Sequence, residues 1–258
     1  MTQTERCHFL IEALLAEYDE AQRLSIPENS DDQRRLLRAL MNVRQPAPVA
    51  DDVLQVQDEY LRRELAAKGI TDIDDLQPCA EGLYLWQGDI TTLRVDAIVN
   101  AANSGMTGCY QPNHSCIDNA IHTFAGMQLR LACDRIMKEQ GHLEPTGSAK
   151  ITSGYNLPAR FILHTVGPIV DGVLTARHEA ELASCYKSCL ALAAEHHLES
   201  VAFCCISTGV FGFPNQRAAE IAVATVRDFL AQETCVKRVV FNVFKDLDLA
   251  IYEALLAE

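Results

Sequence analysis

The sequence predicts an α/β protein in which a three-layer α/β/α sandwich follows a helical N-terminal extension. From about residue 82 onward, short apolar segments alternate with longer segments whose apolar residues recur at helical spacing. Most of the short segments are apolar almost without interruption, which is typical of strands in a sheet that helices cover on both faces. The first 70 or so residues show helical spacing alone. A length of 258 residues fits one large domain with such an extension.

Three predicted helices make up the extension. Apolar residues recur at helical spacing in CHFLIEALLAEYDEA (residues 7–21), DDQRRLLRALMNV (31–43) and ADDVLQVQDEYLRRELAAKG (50–69). Gly69 ends the third segment, where a glycine commonly terminates a helix. No pattern in this region indicates a chemical role, and we expect the functional pocket to form without it. We assign residues 1–75 to the extension and residues 76–258 to the second domain.

The second domain contains six predicted strands and four predicted helices. The strands are GLYLWQG (82–88), VDAIVNAAN (95–103), SAKITSGY (148–155), RFILHTVG (160–167), SVAFCCIS (200–207) and KRVVFNVF (237–244). The helices are IDNAIHTFAGMQLRLACDRIMKEQG (117–141), HEAELASCYKSCLALAAEHH (178–197), NQRAAEIAVATVRDFLAQE (215–233) and LDLAIYEALLAE (247–258). Ligands of such sheets bind at the carboxyl ends of strands. The candidate sites are therefore three segments that follow strands: QGDI, NAANSGMTGCYQPNHSC and STGVFGFPN.

Charge and hydropathy exclude several classes of protein. The net charge of −13 argues against a nucleic-acid partner, because neutralising a phosphate backbone requires clustered Lys and Arg. The longest apolar runs are far shorter than a membrane span. The N-terminal segment carries acids within its apolar run and lacks a secretory cleavage pattern. We therefore expect a cytoplasmic protein with no membrane partner.

The ten cysteines do not have the spacing of a disulfide framework. Cys204 and Cys205, for example, lie in an apolar segment that resembles a strand, and we expect reduced, buried thiols. His122 and His164 also fall in periodic segments, so we expect them to be hydrogen-bonded core residues.

The segment STGVFGFPN has the composition of a phosphate-binding loop. Gly209 and Gly212 lie between a buried strand and a helix that Asn215 can cap. This arrangement allows backbone N–H groups to approach a phosphate closely, with the helix dipole behind them. The alternative is an ordinary turn between a strand and a helix.

Polar residues follow two other strands. Asn100 and Asn103 end the segment VDAIVNAAN, where an asparagine can cap a turn or bond to a sugar hydroxyl. Asp89 in QGDI is either a turn residue or a carboxylate that accepts hydrogen bonds from an exocyclic amine such as that of adenine.

The segment GCYQPNHSC brings two thiols and an imidazole within eight positions, in the spacing C-x4-H-x-C. Thiolate and neutral imidazole suit Zn²⁺, and the three ligands Cys109, His114 and Cys116 leave a fourth position open, as in catalytic zinc sites. One alternative is a chance grouping in a cysteine-rich chain. Another is a structural site that a distant Cys133 or Cys205 completes, although both lie in apolar periodic segments typical of core thiols.

Taken together, these segments resemble the macrodomain family, which binds ADP-ribose. The resemblance runs from about Leu83 to the C-terminus and rests on QGDIT, VDAIVNAAN, GSAKITSGYNL, ILHTVGP and ISTGVFGFP in this order. It implies a mixed central sheet. It also implies that Asp89 and the Ile90 backbone hold the adenine amine and that Asn103 contacts the distal ribose. The implied diphosphate cradle consists of Ser207, Thr208, Gly209, Val210, Phe211, Gly212 and Phe213. Phe244 falls where relatives place an aromatic ring against the adenine, although a Phe at a strand end is more often a core residue.

The resemblance also identifies a candidate catalytic residue. In hydrolytic macrodomains a short glycine-rich loop leads from NAAN into a segment like DGCIHRAAG. This chain has DNAIHTFAG, so Asp118 aligns with the catalytic aspartate and His122 with the helix histidine of the family. The ligand-binding residues implied at this segment are Cys116, Ile117, Asp118 and Asn119. The glycine-rich loop is replaced by the longer GCYQPNHSCI, which resembles the zinc-dependent macrodomain subgroup that removes mono-ADP-ribose from proteins.

The expected activity is hydrolysis of the bond between the distal ribose and a protein side chain, with one Zn²⁺ per chain. The metal would polarise the reacting centre or lower the pKa of a bound water. Asp118 would orient or deprotonate that water or a ribose hydroxyl, and Asn103 would hold the ribose. Family analogy favours an ester to Asp or Glu, with Ser, Arg or Cys linkages open.

Two other functions remain as alternatives. One is a reader domain that binds ADP-ribose without turnover, and the other is deacetylation of O-acetyl-ADP-ribose. The expected partners are ADP-ribose and a mono-ADP-ribosylated protein, and a monomer is favoured.

Overall fold

The computed structural model describes residues 1–19 and 24–257. The extension contains the helices α1 (Gln3–Leu15), α2 (Ser30–Val43) and α3 (Asp51–Lys68). The helix predicted over 7–21 ends at Leu15, and its last two predicted residues lie outside the described residues. Gly69 adopts a φ of +88° and ends α3, as the sequence predicts.

The described strands form one large sheet and one small sheet. The strands are β1 (Thr71–Asp72), β2 (Pro78–Ala80), β3 (Leu83–Gln87), β4 (Leu93–Arg94), β5 (Ala97–Ala102), β6 (Ala149–Ser153), β7 (Phe161–Val166), β8 (Ser200–Phe203) and β9 (Arg238–Val243). The large sheet has the order β2-β3-β9-β8-β5-β7-β6, and the small one pairs β1 with β4. The five inner strands of the large sheet, β3, β9, β8, β5 and β7, run parallel to one another. The edge strands are antiparallel to their neighbours, β2 to β3 and β6 to β7. The sheet is therefore mixed, as the family resemblance implies.

Helices cover both faces of the large sheet. They are α4 (Ile117–Ala125), α5 (Met127–Gln140), α6 (Ala176–Glu195), α7 (Asn215–Leu230) and α8 (Asp246–Leu256). On one face α6, α7 and α8 lie side by side, and on the other α4 and α5 pack together with the extension beside them. Ile98, Leu163 and Val201 in the central strands are completely buried, which explains the uninterrupted apolar composition of these segments. Within the described residues, no helix is both long enough and apolar enough to cross a membrane.

Two sequence predictions about helices are wrong. The single helix predicted over 117–141 is divided at Gly126, whose φ of +102° is incompatible with a continuous right-handed helix. Asn215 does not cap α7 but is its first residue, and its Nδ2 donates to Oδ1 of Asp248 at 2.6 Å.

The strand predicted over 200–207 is also too long. β8 ends at Phe203, so Cys204 and Cys205 follow the strand rather than belong to it. Cys204 is buried and Cys205 is half-buried, and all ten cysteines of the chain are free of disulfide bonds. Free thiols agree with the sequence prediction.

The extension packs directly on the second domain. Its apolar cluster includes one residue from α5, and the members are Cys7, Leu10, Ile11, Leu14, Leu15, Leu37, Leu40, Met41, Tyr60, Leu61 and Met127. At the same junction Arg130 of α5 donates to the backbone carbonyls of Met41 and Asn42 at 3.2 and 2.8 Å, which caps the C-terminal end of α2. The division of the chain at residue 75 remains a prediction.

Candidate functional site

The predicted site residues lie in a row along one edge of the large sheet. Asp89 follows β3, Phe244 follows β9, the loop 204–213 follows β8, and Asn103 follows β5. These strands are parallel neighbours in that order, so all four features lie at the same, carboxyl edge. This is where open α/β sheets bind their ligands.

Asp89 lies at one end of this row and is held in place by a short 3-10 turn, Ile90–Thr92. Its Oδ1 accepts hydrogen bonds from the backbone N–H and the hydroxyl of Thr91, at 3.0 and 2.6 Å. Its Oδ2 lies 3.1 Å from Nζ of Lys68, at the end of α3. Burial pushes the pKa of Asp89 upward, but the Thr91 bonds and the Lys68 charge outweigh it and hold the pKa below its ordinary value. Asp89 is therefore an ionised carboxylate already paired with a residue of the extension.

Asn242 fixes the backbone beside Asp89. Its side-chain Nδ2 donates to the carbonyl of Gly88 at 3.0 Å, and the N–H of Gly88 donates to the carbonyl of Val243 at 3.1 Å. Asn242 lies inside an apolar strand and carries no local signal that would identify this role from the sequence. Phe244 is 78% exposed and is not a core residue. Its ring is therefore available to a ligand.

The loop after β8 presents free backbone donors. It is closed by hydrogen bonds from Phe213 N to Ser207 O and from Gly212 N to Gly209 O. In the described part of the chain, no hydrogen bond is donated by the backbone N–H groups of Gly209, Val210 or Phe211. Val210 is 78% exposed at the tip of the loop. The bond between Gly212 and Gly209 closes a four-residue turn, and the unbonded amides of this turn are the kind of donor that an anion site uses.

Ser207 and Gly212 give the loop its shape. Both have positive φ values, +64° and +69°, and Ser207 is buried. A Cβ atom at Gly167, in the segment after β7, would lie 2.1 Å from Oγ of Ser207, so a larger residue there would displace the Ser207 side chain. Oγ of Ser207 has no hydrogen-bond partner among the described residues.

Asn103 and Asp118 lie together at the other end of the row. Nδ2 of Asn103 donates to Oδ2 of Asp118 at 3.2 Å and to the carbonyl of Gly108 at 3.1 Å. Oδ1 of Asp118 accepts from Nδ2 of Asn100 at 2.8 Å. Burial raises the pKa of Asp118 to about 6, although the two asparagine donors and the charge of Arg130 oppose the shift.

Asn100 therefore neither caps a turn nor faces a ligand. It lies inside β5, is fully buried, and bridges Asp118 and Nδ1 of His164, the latter at 3.1 Å. Nε2 of His164 lies 2.8 Å from the hydroxyl of Thr152. His164 is a hydrogen-bonded core residue, as the sequence predicts.

His122 differs from the prediction. It is buried, but neither ring nitrogen has a hydrogen-bond partner among the described residues, and its Nε2 lies 3.6 Å from Oδ1 of Asp118. Burial holds its pKa well below the ordinary value, so the ring is neutral. A Cβ atom at Gly108 would lie 2.7 Å from Cγ of His122, which shows that the ring packs directly beneath the start of the cysteine-containing loop.

The structure brings Cys109, His114 and Cys116 together. Their ligand atoms all lie within 4.8 Å of one another, and Sγ of Cys109 is 3.6 Å from Nδ1 of His114. Ligands of a tetrahedral zinc ion at about 2.0–2.3 Å are themselves roughly 3.3–3.8 Å apart. Burial raises the pKa of the Cys116 thiol to about 11. A divalent cation between the sulfurs would stabilise the thiolate and lower this pKa. The donor set and its spacing fit zinc.

The two distant cysteines do not belong to this group. Cys133 lies in a separate buried cluster with His122 and His164, and the sulfur of Cys205 contacts the carbonyl of Asn242 at 3.8 Å. In the His122 cluster, His164 already has hydrogen-bond partners at both nitrogens. That cluster is therefore a core contact, and Cys109, His114 and Cys116 remain the candidate three-ligand site.

The residues around Cys116 have different surroundings. Ile117 is half-buried, while Asn119 is fully buried. The backbone N–H of Asn119 donates to Sγ of Cys116 at 3.4 Å, and its Nδ2 donates to the carbonyl of Gln111 at 3.0 Å. The side chain of Asn119 thus contacts the loop rather than the open row of site residues.

The sequence is similar to those of known proteins over most of its length. The family model described as "Macro domain" matches residues 99–222. A protein of Treponema medium named protein-ADP-ribose hydrolase is 57% identical over 261 residues, covering all of both chains. A Staphylococcus aureus protein of the same name is 50% identical over 96% of this chain and 94% of its own length.

The fold is also similar to that of solved structures. The crystal structure of a Trypanosoma brucei macrodomain in complex with ADP-ribose has a TM-score of 0.67 and 30% sequence identity. The similarity covers 85% of this chain and 94% of the trypanosomal chain.

Proposed function

The chain belongs to the macrodomain family and is a hydrolase, and we propose that it removes mono-ADP-ribose from modified proteins with the help of one zinc ion. Asp and Glu esters are the proposed linkages. The observation that carries the proposal is the position of Asp118, whose carboxylate lies two residues after the zinc-ligand candidate Cys116 and directly beside Asn103.

The order of residues along the sheet edge matches the order of groups in ADP-ribose. Asp89 and the exposed ring of Phe244 would hold the adenine at one end. The free amides of Gly209 through Phe211 would bind the diphosphate, in line with their position ahead of α7. The distal ribose would then reach Asn103 at the other end. The scissile bond, which leaves the distal ribose, would lie at Asp118.

Cys109, His114 and Cys116 would hold the zinc ion, which supplies a Lewis acid at the reacting centre when bound. The remaining steps are assigned to the chain itself. Asp118 accepts a proton from the attacking water or from a ribose hydroxyl at its carboxylate. Asn103 and Asn100 fix both oxygens of that carboxylate, so its direction is set before the substrate arrives.

The test combines metal analysis with an ADP-ribose release assay on an automodified protein. The purified protein is expected to contain one zinc per chain and to release ADP-ribose at a rate that falls when the metal is removed. Binding of ADP-ribose without release would support the reader alternative. Turnover of O-acetyl-ADP-ribose without turnover of the modified protein would support the deacetylase alternative.

A further inference from the structure

Two side chains of the extension reach the segment 108–116, here called the metal loop. The first is Arg38, on the middle of α2. Its Nη2 donates to the backbone carbonyl of His114 at 3.1 Å. Its Nε and Nη2 also donate to Oδ1 of Asn119, at 3.3 and 2.9 Å. One guanidinium therefore joins a zinc-ligand candidate to the first turn of α4.

The second side chain is Asn42, one turn further along α2. Its Oδ1 accepts a hydrogen bond from the backbone N–H of Asn113 at 2.9 Å, and its Nδ2 donates to the hydroxyl of Thr123 at 2.9 Å. Asn42 is only 1% exposed. Asn113 has a φ of +54°, a conformation that is unfavourable for most side chains. The contact from Asn42 holds this residue directly before His114.

The metal loop has little support of its own. Among the described residues, the backbone of segment 108–116 forms one internal hydrogen bond, from His114 N to Gln111 O at 3.3 Å. Cys109 and His114 meet only through their side chains. The bonds from Arg38 and Asn42 therefore set the backbone position of His114, while Asn119 fixes Cys116 from the other side.

We propose that Arg38 and Asn42 are positioning residues for the metal, acting through His114 and Asn113 rather than on the substrate. The inference rests on the proposed function, because it requires that the metal loop binds zinc. The extension then contributes two residues that position a metal ligand of the site. Partners that orient a metal ligand typically change metal affinity about 10- to 100-fold when they are removed.

The test measures zinc affinity by chelator competition for the full chain and its variants. Arg38→Ala should weaken zinc binding about 10- to 100-fold and change the visible spectrum of the Co²⁺-substituted protein, because the geometry of the ligands alters. Arg38→Lys should recover part of the loss, since an ammonium group can still donate to one acceptor. Arg35→Ala is the matched control: it removes an exposed arginine from the same helix, three residues earlier, and should leave affinity and spectrum unchanged.

The contacts of Asn42 offer a second, independent pair of variants. Thr123→Val removes the hydroxyl that accepts from Nδ2 of Asn42 but keeps the oxygen that accepts from Asn113, so zinc affinity should stay near that of the wild type. Asn42→Ala removes the acceptor and should lose affinity. This contrast also covers the case in which Arg38→Ala does not fold.

Several results would overturn the inference. Wild-type zinc affinity and an unchanged Co²⁺ spectrum in folded Arg38→Ala would reduce the contact to simple helix docking, even if the melting temperature falls. Equal loss in Thr123→Val and Asn42→Ala would contradict the role of the acceptor. If the wild type binds no zinc at all, the proposed zinc chemistry fails, and that result differs from failure of the positioning role.

Discussion

The amide of Asn100 donates to the carboxylate of Asp118 across 2.8 Å in the interior of the protein. Asn100 lies in the middle of β5, whereas Asp118 lies in the first turn of α4 on the far side of the metal loop. A rigid central strand thus sets the direction of a group that we place in catalysis. Because Asn103 at the end of the same strand holds the second oxygen, the carboxylate has little freedom to turn.

Replacing Asn100 tests this relationship. Asn100→Ala should lower turnover while ADP-ribose and zinc still bind, because Asp118 loses one of its two orienting donors. The free energy of unfolding should fall by about 1–3 kcal/mol, since a buried acceptor is left without its partner. Asn242→Ala is a suitable comparison, because it removes a buried asparagine at the proposed adenine end of the sheet edge. It should instead weaken ADP-ribose binding.

Replacing Asp118 itself should separate chemistry from binding. Asp118→Ala should retain zinc and ADP-ribose but lower the rate of ADP-ribose release by roughly 10²–10⁴, the usual contribution of a general base. Metal content, calorimetric affinity and release rate are measured on one preparation. An Asp118→Ala protein that turns over at the wild-type rate would remove Asp118 from the mechanism.

Much of the site could be predicted from sequence because its residues directly follow strands. Asp89, Asn103 and the loop after β8 fall at the carboxyl edge for that reason, and the short spacing of the metal loop already restricts Cys109 and His114 to one neighbourhood. The break at Gly126 was missed because a glycine inside a helical pattern is often tolerated, and only its positive φ reveals the division.

The contribution of the extension could not be predicted. Arg38 is 76 residues from His114 in the sequence and Lys68 is 21 from Asp89, so no local pattern links them. Both contacts join the extension to predicted site residues, and the expectation that the pocket forms without the extension stays a prediction. The role of Asn100 was predicted wrongly for a different reason: a strand buried on both faces gives no sign of which polar side chain points toward Asp118.

Replacing the two members of the Lys68–Asp89 ion pair should affect ADP-ribose affinity differently. Asp89→Ala should weaken ADP-ribose binding by about 1.5–3 kcal/mol, because the adenine amine loses a charged acceptor. Lys68→Ala should not weaken it, since Oδ2 of Asp89 is then free to accept from the ligand. Calorimetry on the two variants decides the matter. Unchanged affinity in Asp89→Ala would mean that the adenine lies elsewhere.

The buried imidazole of His164 should make stability depend on pH. Burial lowers its pKa from 6.5 to about 3, so below pH 6.5 the unfolded chain takes up a proton that the native chain refuses. The contribution of His164 to the free energy of unfolding is therefore fully present above pH 6.5. It is lost as the pH falls toward 3, with a slope of up to about 1.4 kcal/mol per pH unit. Denaturant unfolding across this range should show a flatter dependence for His164→Gln. The exposed His142→Gln should match the wild type.

The metal loop gives the last prediction. Cys109→Ala, His114→Ala and Cys116→Ser should each lose zinc and most of the hydrolytic rate, because removal of one ligand from a three-ligand site weakens metal binding severely. Serine is used at 116 because its oxygen can still cap α4, where Sγ of Cys116 accepts from Asn119. A strong chelator should reproduce the loss in the wild type, and added Zn²⁺ should restore the rate.

The exposed cysteine Cys79 provides the control for loss of a thiol, and Cys79→Ala should behave as the wild type in both assays. The pattern of losses distinguishes the roles of the metal. If zinc acts in catalysis, the ligand variants should keep ADP-ribose affinity, since the proposed adenine and diphosphate contacts follow other strands. If zinc only supports the loop, binding and turnover should decline together with the melting temperature. A metal-free Cys116→Ser protein that folds normally and releases ADP-ribose at the wild-type rate would rule out both the catalytic and the loop-supporting role of zinc.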